Sequence, residues 1–311
     1  MNWFKGINDN RLVFLYSKKF LPKIFIYNIL LINIDAKFVF IVCFLKKIIP
    51  FCKFKIVVID IILSKPVSGI EKITCKIKSF FLNEIDAFIF YIKDTSGYEK
   101  YFNIKKEKII YIPYKINGFP DLLKINKSDK KYIFAGGYSK RDYSTFFKAM
   151  KRLKYRSLVL APGVQFLKNH GTFLQEEEVP DNVSLVNDDK SPASWNNYIA
   201  NSQLVVIPIK SETISPTGIS TYLVAMALKK CVIITDSPAT RNLIPENAAL
   251  VVQPGDVDDL CDKIVTACEN NSLREKIAKN GYDYAISLEG QDRLVSDITN
   301  FMINKFYYEK N

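Results

Sequence analysis

The sequence predicts an α/β protein in two parts, each a parallel sheet with helices on both faces, the first part being the shorter. Three observations carry this. Apolar runs of four to six residues alternate with amphipathic segments through the second half, the pattern of parallel strands buried on both sides. Similar apolar runs, less regularly punctuated, fill the first half. Between them "KINGFPDLLKINKSDKK" (115–131) is polar, carries Gly and Pro, and reads as a linker. A chain of 311 residues is long enough for two cores.

In the first half "IFIYNILLINI" (24–34), "KFVFIVCFL" (37–45), "KIVVIDIIL" (55–63), "AFIFYI" (87–92) and "KIIYIPY" (108–114) read as strands, and "GIEKITCKIKSFFLNE" (69–84) as a helix. The first 35 residues show neither clear helix caps nor a glycine-rich turn. In the second half the strands are "KYIFAGG" (131–137), "SLVLAP" (157–162), "VSLV" (183–186), "LVVIPI" (204–209), "CVIIT" (231–235) and "ALVVQP" (249–254). The helices are "RDYSTFFKAMKRL" (141–153), "SPASWNNYIANS" (191–202, entered through Ser191 and Pro192), 218–229, and a short one after Pro238. Three more close the chain at about 257–269, 272–287 and 290–307. The parts are accordingly 1–122, 123–290, and a C-terminal helix within 291–311 expected to pack back towards the first part. No solenoid repeat or low-complexity tract is visible.

The formal net charge is +12, and it is unevenly spread. Residues 1–130 hold 23 Lys and Arg against 11 Asp and Glu, whereas residues 131–311 hold 21 against 21. The asymmetry points to an anionic partner for the first half. Drift in an AT-rich genome, which enriches Lys, Ile, Asn and Phe, is the competing explanation. Six cysteines (Cys43, Cys52, Cys75, Cys231, Cys261, Cys268) show no metal-ligand spacing and fit a reduced, cytoplasmic protein. The longest apolar runs are too short to cross a bilayer, which leaves a peripheral membrane role open.

Ligands of parallel sheets collect at the carboxyl ends of the strands. Two candidate sites lie there. In "AGGYSKRDY" the strand ends in Gly136 and Gly137, followed by Ser139, Lys140 and Arg141; glycines let a backbone approach a diphosphate, and Arg141 offers a fork of donors. In "PTGISTYLVAMA" Gly218 opens a helix with Ser220 and Thr221 in its first turn, where hydroxyls bond either backbone or ligand. Each alone is explained by turns and capping. Together, about 80 residues apart in one sheet, they suit a nucleoside-diphosphate cleft. Glu212 lies at a strand's carboxyl end nearby, while "DVD" (256–258) and "EEE" (176–178) read as a helix cap and a solvated loop.

These words resemble a family. "LVVIPI…PTGISTYLVAMALKKCVIITDSPATRNLI…AALVVQPGDVDDLCDKIVTACENNSLREKIAKNGYDYA", with "FAGGYSKRDYSTFFKAMKRL" before it, is similar to the donor-binding half of GT-B glycosyltransferases, notably family 4 (group 1), over about residues 105–290. That pattern runs through "EAMA-x-G-x-P-V-I-x-T", then "G-x-L-v-x-P-x-D" and helices ending in "R-x-x-x-x-x-x-G". The resemblance implies two Rossmann-like domains, the acceptor side at 1–122 and the nucleotide-sugar side at 123–290. It places the donor against Gly136, Gly137, Ser139, Lys140, Arg141, Glu212, Thr217, Gly218, Ser220 and Thr221, with Lys140 and Arg141 as candidates for stabilising the leaving diphosphate. The family's paired glutamates would fall at Pro216 and Val224, so both are missing. The acceptor-side histidine is missing too: His170 lies in the donor half, in a surface loop.

The activity implied is transfer of a sugar from a nucleotide sugar to a saccharide or lipid-linked acceptor, in cell-surface polysaccharide synthesis. Retention of anomeric configuration, no metal and no separate cofactor are expected with it. An anionic membrane surface would suit the basic half. A weakened homologue that binds a nucleotide sugar or a partner protein is the second reading. Nucleic acid is not expected as a partner, since no reading motif or interleaved aromatic-basic patch is present.

Overall fold

The computed structural model describes residues 12–15, 28–33, 36–49 and 53–308. The chain divides into two compact units: Met1–Pro113 with Ile214–Pro216 and Asp292–Asn311, and Tyr114–Thr213 with Thr217–Gln291. The expected strand residues 24–27 and 34, and Cys52, lie outside the described residues.

The first unit runs β1 (Leu12–Leu15), β2 (Ile29–Ile32), α1 (Ala36–Ile48), β3 (Lys55–Ile59), α2 (Gly69–Leu82), β4 (Ala87–Phe90), α3 (Ser96–Phe102) and β5 (Ile109–Tyr111). Its five strands pair in chain order, all parallel. β2 and β4 are buried along their whole length, which is why they read as unbroken apolar runs. Ser68 and Glu71 form a capping box that starts α2. Asp86 ties three elements together: it accepts from Lys46 of α1 at 2.7 Å, and from Lys55 and the Ile56 N–H of β3 at 3.0 and 2.9 Å. These bonds hold its carboxyl below the usual range although burial opposes them.

One expected strand is a helix. "KFVFIVCFL" lies within α1, with Phe38, Val39, Val42 and Cys43 turned to the core at helical spacing. Ile41, Phe44 and Ile48 occupy the opposite, exposed face, so the segment is apolar all round and has no polar stripe to reveal its period.

The second unit runs α4 (Phe119–Leu123), β6 (Ile133–Gly136), α5 (Tyr143–Met150), β7 (Ser157–Ala161), α6 (Val164–Asn169), β8 (Val183–Asn187), α7 (Pro192–Ala200), β9 (Leu204–Ile207), α8 (Ile219–Ala227), β10 (Cys231–Thr235), β11 (Leu250–Val252), α9 (Val257–Glu269) and α10 (Asn271–Ser287). α11 (Gln291–Ile303) follows, clustering with the first unit from Asp292 onward. The six strands are parallel in the order β8-β7-β6-β9-β10-β11, the doubly wound arrangement with its reversal between β6 and β9.

Residues 115–131 are part of this unit. They contain α4, and the N–H groups of Ser128 and Lys130 donate to the carbonyls of Ala200 and Asn201 at 3.1 and 2.9 Å. The helix expected after Pro238 is a run of turns instead. There the Thr240 hydroxyl accepts from the Ser237 N–H and donates to the Ser237 carbonyl, drawing the backbone into a local turn. Asp256 caps α9 through the Asp259 N–H at 3.0 Å, as a helix-capping "DVD" should.

The "R-x-x-x-x-x-x-G" ending has a packing reason. The Arg274 guanidinium donates to the Ala267 and Cys268 carbonyls, closing the end of α9. A Cβ on Gly281 would stand 2.9 Å from the Ala248 carbonyl oxygen and 2.9 Å from Met226 Cγ, so its absence lets α10 lie close against α8. Gly281→Ala is therefore expected to destabilise the fold by about 1–3 kcal/mol despite the better helix propensity of alanine. Gly69→Ala, with nothing within 4 Å, should cost nothing or stabilise. Urea unfolding followed by circular dichroism checks both; an unchanged midpoint for Gly281→Ala would contradict the close packing.

Candidate functional site

β6 and β9 are neighbours although β7 and β8 intervene in sequence, so the loops leaving them diverge and open a crevice at the carboxyl edge. Both loops singled out in the sequence begin there. Gly136–Arg141 leaves β6, and the loop leaving β9 leads to Gly218 and α8.

Arg141 joins them. Its side chain is buried, with Nε donating to the Gly136 carbonyl at 3.0 Å and Nη1 to the Ser139 carbonyl at 3.0 Å. Nη2 donates to Thr221 Oγ1 at 3.2 Å, across 80 residues of sequence. No carboxylate among the described residues forms an ion pair with it. Burial pulls the guanidinium below its ordinary pKa, the nearby Tyr143 opposing weakly, but arginine stays charged. A buried cation held only by neutral acceptors is a ready partner for an anion.

The loop is shaped around that side chain. Gly137 has φ 124°, and a Cβ there would collide with the guanidinium. Tyr143 donates to the Gly137 carbonyl at 3.0 Å, and Thr172 donates to the Tyr138 carbonyl at 2.6 Å while accepting from the Arg141 N–H at 2.8 Å. The carbonyls of residues 136–139 are thus all occupied from within. The N–H groups of Gly137, Tyr138 and Ser139 make no hydrogen bond to another described residue. Lys140 takes the left-handed φ of 53°, held by its N–H to the His170 carbonyl and by the Lys210 N–H to its own carbonyl.

α8 starts at a glycine without a side-chain cap, as α4 and α6 also do. Side chains of Asp142, Ser191, Asp256 and Asn270 cap α5, α7, α9 and α10, whereas Gly218, with φ 96°, gives α8 no side-chain cap. Thr221 turns inward to Arg141, Thr217 is buried, and Ser220 is exposed on the outer face of the helix. Glu212 is half-buried and acts electrostatically on Lys210, whose ammonium burial pushes down from its usual pKa. The structure therefore brings Gly136, Gly137, Ser139, Arg141, Gly218 and Thr221 into one constellation, with Lys140 at its edge. Ser220 lies away from the Arg141 contact.

Sequence reasoning missed Thr172, Tyr143 and Lys210. Lys210 follows strand "LVVIPI" as a lone cation, a signal available in the sequence; Thr172 had none. Beside the loop, at the carboxyl ends of β7 and β8, lies a cavity of about 230 Å³ lined by residues that include Ala161, Gly163, Val164, Val186 and Asn187. Tyr138 borders this region, donating its hydroxyl to Asp188, which raises the tyrosine's pKa further than burial alone. His170 is exposed at the end of α6 and stacks on Phe166, the surface position expected.

The family model for glycosyl transferases group 1 matches residues 119–284, more than half of the chain. The chain belongs to that family. No curated protein sequence matches it. Among solved structures it is similar to sucrose-phosphate synthase from Thermosynechococcus elongatus (16% identity, TM-score 0.69, 90% of this chain and 74% of that one). It is similar also to Anabaena HepE in complex with UDP and glucose (13%, 0.68, 91% and 80%) and to the trehalose 6-phosphate synthase of Burkholderia multivorans (13%, 0.61, 91% and 72%). The fold is GT-B, two Rossmann-like units with parallel sheets. Where the family motif has a glycine after "AMA-x", this glycosyltransferase has Lys229 at φ 56°, its ammonium 4.6 Å from the Tyr282 ring centroid. At the positions of the missing glutamates, Pro216 and Val224 offer no carboxylate.

The first unit holds a buried acid that the sequence did not single out. Asp60 follows β3 at its carboxyl end with φ 51°, and its Oδ1 is enclosed without a hydrogen-bond partner. Burial pushes its carboxyl up to about 7. The folded protein thus keeps this proton at pH values where the unfolded chain has lost it. The contribution of Asp60 to stability is full below about pH 4 and is lost as pH rises towards 7. Asp60→Asn should remove that fall, gaining about 2 kcal/mol on wild type between pH 5 and pH 8. Urea midpoints at the two pH values test it; parallel pH profiles for both proteins would refute the assignment.

Proposed function

We propose that the protein transfers a sugar from a nucleoside-diphosphate sugar to a saccharide or lipid-linked acceptor, in cell-surface polysaccharide synthesis. The observation that carries this is the buried Arg141 guanidinium at the β6/β9 reversal, joined to Thr221 and lacking a carboxylate partner. In transfer the bond from the anomeric carbon to the diphosphate oxygen breaks, its electron pair stays on the diphosphate, and the acceptor hydroxyl oxygen bonds to the carbon while its proton passes to the departing diphosphate. The growing negative charge is met by Arg141, by the open N–H groups of residues 137–139, and by the uncapped positive end of α8. Lys140 and Lys210 add positive charge at the rim. The cavity beyond Tyr138 receives the nucleoside, so the donor lies across the crevice.

This reading uses no protein nucleophile and no metal, and it fits same-face attack with retention of configuration. The donor needs no separate cofactor. The positive excess in the first unit's sequence supports an acceptor held at the inner, anionic surface of the cytoplasmic membrane; among the described residues no helix is long and apolar enough to cross one. The loss of carboxylates at Pro216 and Val224 favours the second reading, a homologue that binds a nucleotide sugar or a partner protein without turning the sugar over.

Calorimetric titration with UDP, GDP and CMP separates these. One nucleotide is expected to bind, with Arg141→Ala weakening it about tenfold or more and Arg141→Lys, which keeps the charge but loses the fork, falling between. Binding by none of the three overturns the donor site. Binding without hydrolysis or transfer of any matching donor selects the second reading.

A further inference from the structure

The α1 and α2 helices of the first unit expose apolar side chains in register. On α1, Ile41, Phe44 and Ile48 are 45%, 46% and 55% exposed at spacings of three and four. On α2, Ile70, Ile73, Ile77 and Phe80 are 76%, 62%, 55% and 54% exposed at spacings of three, four and three. Such spacings place each set on one helix face. α2 buries only Cys75 and Leu82, on its opposite side, so its outer face is the more apolar one. The two faces adjoin: the Phe44 and Phe81 rings meet edge-on at 5.8 Å, and the Lys47 ammonium sits 4.1 Å from the Phe80 ring centroid.

Charge decides what covers this surface. The two helices carry Lys37, Lys46, Lys47, Lys72, Lys76 and Lys78 against a single acid, Glu71, whose carboxylate is taken up by the Val67 and Ser68 N–H groups. Lys46 and Lys47 pair with Asp86 and Glu84; no ion pair holds the other four among the described residues. A second copy of this face would bring lysine against lysine. The chain's own residues 1–27 would do the same, holding five Lys and Arg against one Asp. Protein interfaces are generally depleted in lysine. An anionic bilayer suits both features: isoleucine and phenylalanine enter the acyl boundary while the long lysine stems carry their charges out to the headgroups.

We propose that the α1–α2 face docks the first unit on an anionic lipid surface by shallow insertion of these isoleucine and phenylalanine side chains. The proposal deepens the membrane part of the function above and rests on it for purpose, while the binding itself does not depend on donor chemistry.

The test is co-sedimentation of the full chain with vesicles of phosphatidylcholine alone and of phosphatidylcholine with about one-third phosphatidylglycerol, at ~0.1 and ~0.5 M salt. Wild type should pellet with the anionic vesicles and less so at high salt. Ile73→Glu with Phe80→Glu should reduce that binding about tenfold or more, and Lys72→Glu with Lys76→Glu should reduce it on anionic vesicles only. Both variants should keep the wild-type circular dichroism and nucleotide titration. Wild type that stays in the supernatant, or variants that pellet as wild type does, overturn the proposal. A wild-type dimer that these substitutions disperse, with no vesicle binding, overturns it in favour of self-association. Vesicle binding in a protein that binds no nucleotide leaves docking intact and removes only the transferase reading.

Discussion

A positive charge buried without a negative one is the constraint around which the second unit is organised. Arg141 cannot shed its proton, and enclosing a guanidinium is costly unless each donor finds an acceptor. The fold supplies acceptors for three of the guanidinium's five N–H donors: two carbonyls of its own loop and a hydroxyl from α8. Each acceptor dictates something further. The carbonyls must turn inward, which leaves the adjacent N–H groups outward; Gly137 must lack a side chain; and Thr221 must face the sheet, which fixes the rotation of α8. Bonding one buried cation from within leaves the N–H donors of residues 137–139 open at the crevice.

The uncapped start of α8 follows the same logic. The unit caps four of its helices with Asp, Ser or Asn and starts three, α4, α6 and α8, at a glycine without a side-chain cap; of these, α8 is the one whose first turn reaches Arg141, through Thr221. A helix that begins at the strand-order reversal with glycine presents its positive end to the crevice instead. Gly218 in its left-handed conformation packs close to Ile207 and Ile209 of the β9 segment, where a Cβ would lie 3.3 and 3.1 Å from their side chains. One residue thus serves both explanations that its position raises, close packing and an open helix end.

Much of this was legible in the sequence, for a physical reason. A parallel sheet covered on both faces must be built from short unbroken apolar runs, and its strand ends must carry the turn residues; "IFAGG" and "LVVIPI" display both requirements at once. The donor loops were legible as a pair but not as a contact, because nothing in sequence spacing says that Arg141 reaches Thr221. Thr172 was invisible for the same reason: its hydroxyl matters through two backbone groups at Tyr138 and Arg141, not through a motif. Asp60 was invisible because its environment, an enclosed oxygen and a left-handed backbone, exists only once β3 and its neighbours are packed.

The misread α1 shows where pattern reasoning stops working. Helical period is recognised by contrast between a wet and a dry face, and α1 has little: its outer face carries Ile41, Phe44 and Ile48 where a solvated helix would carry polar groups. α2 betrays its period through lysines and a capping box, yet it too places isoleucine outward. The missing contrast and the exposed patch are therefore one property seen from two sides. A sequence keeps apolar residues on a helix's outer face when that face has something other than water to meet, and the lysines beside them restrict what that can be. Six of the 23 basic residues among the first 130 lie on these two helices, so part of the positive excess flanks the exposed apolar face.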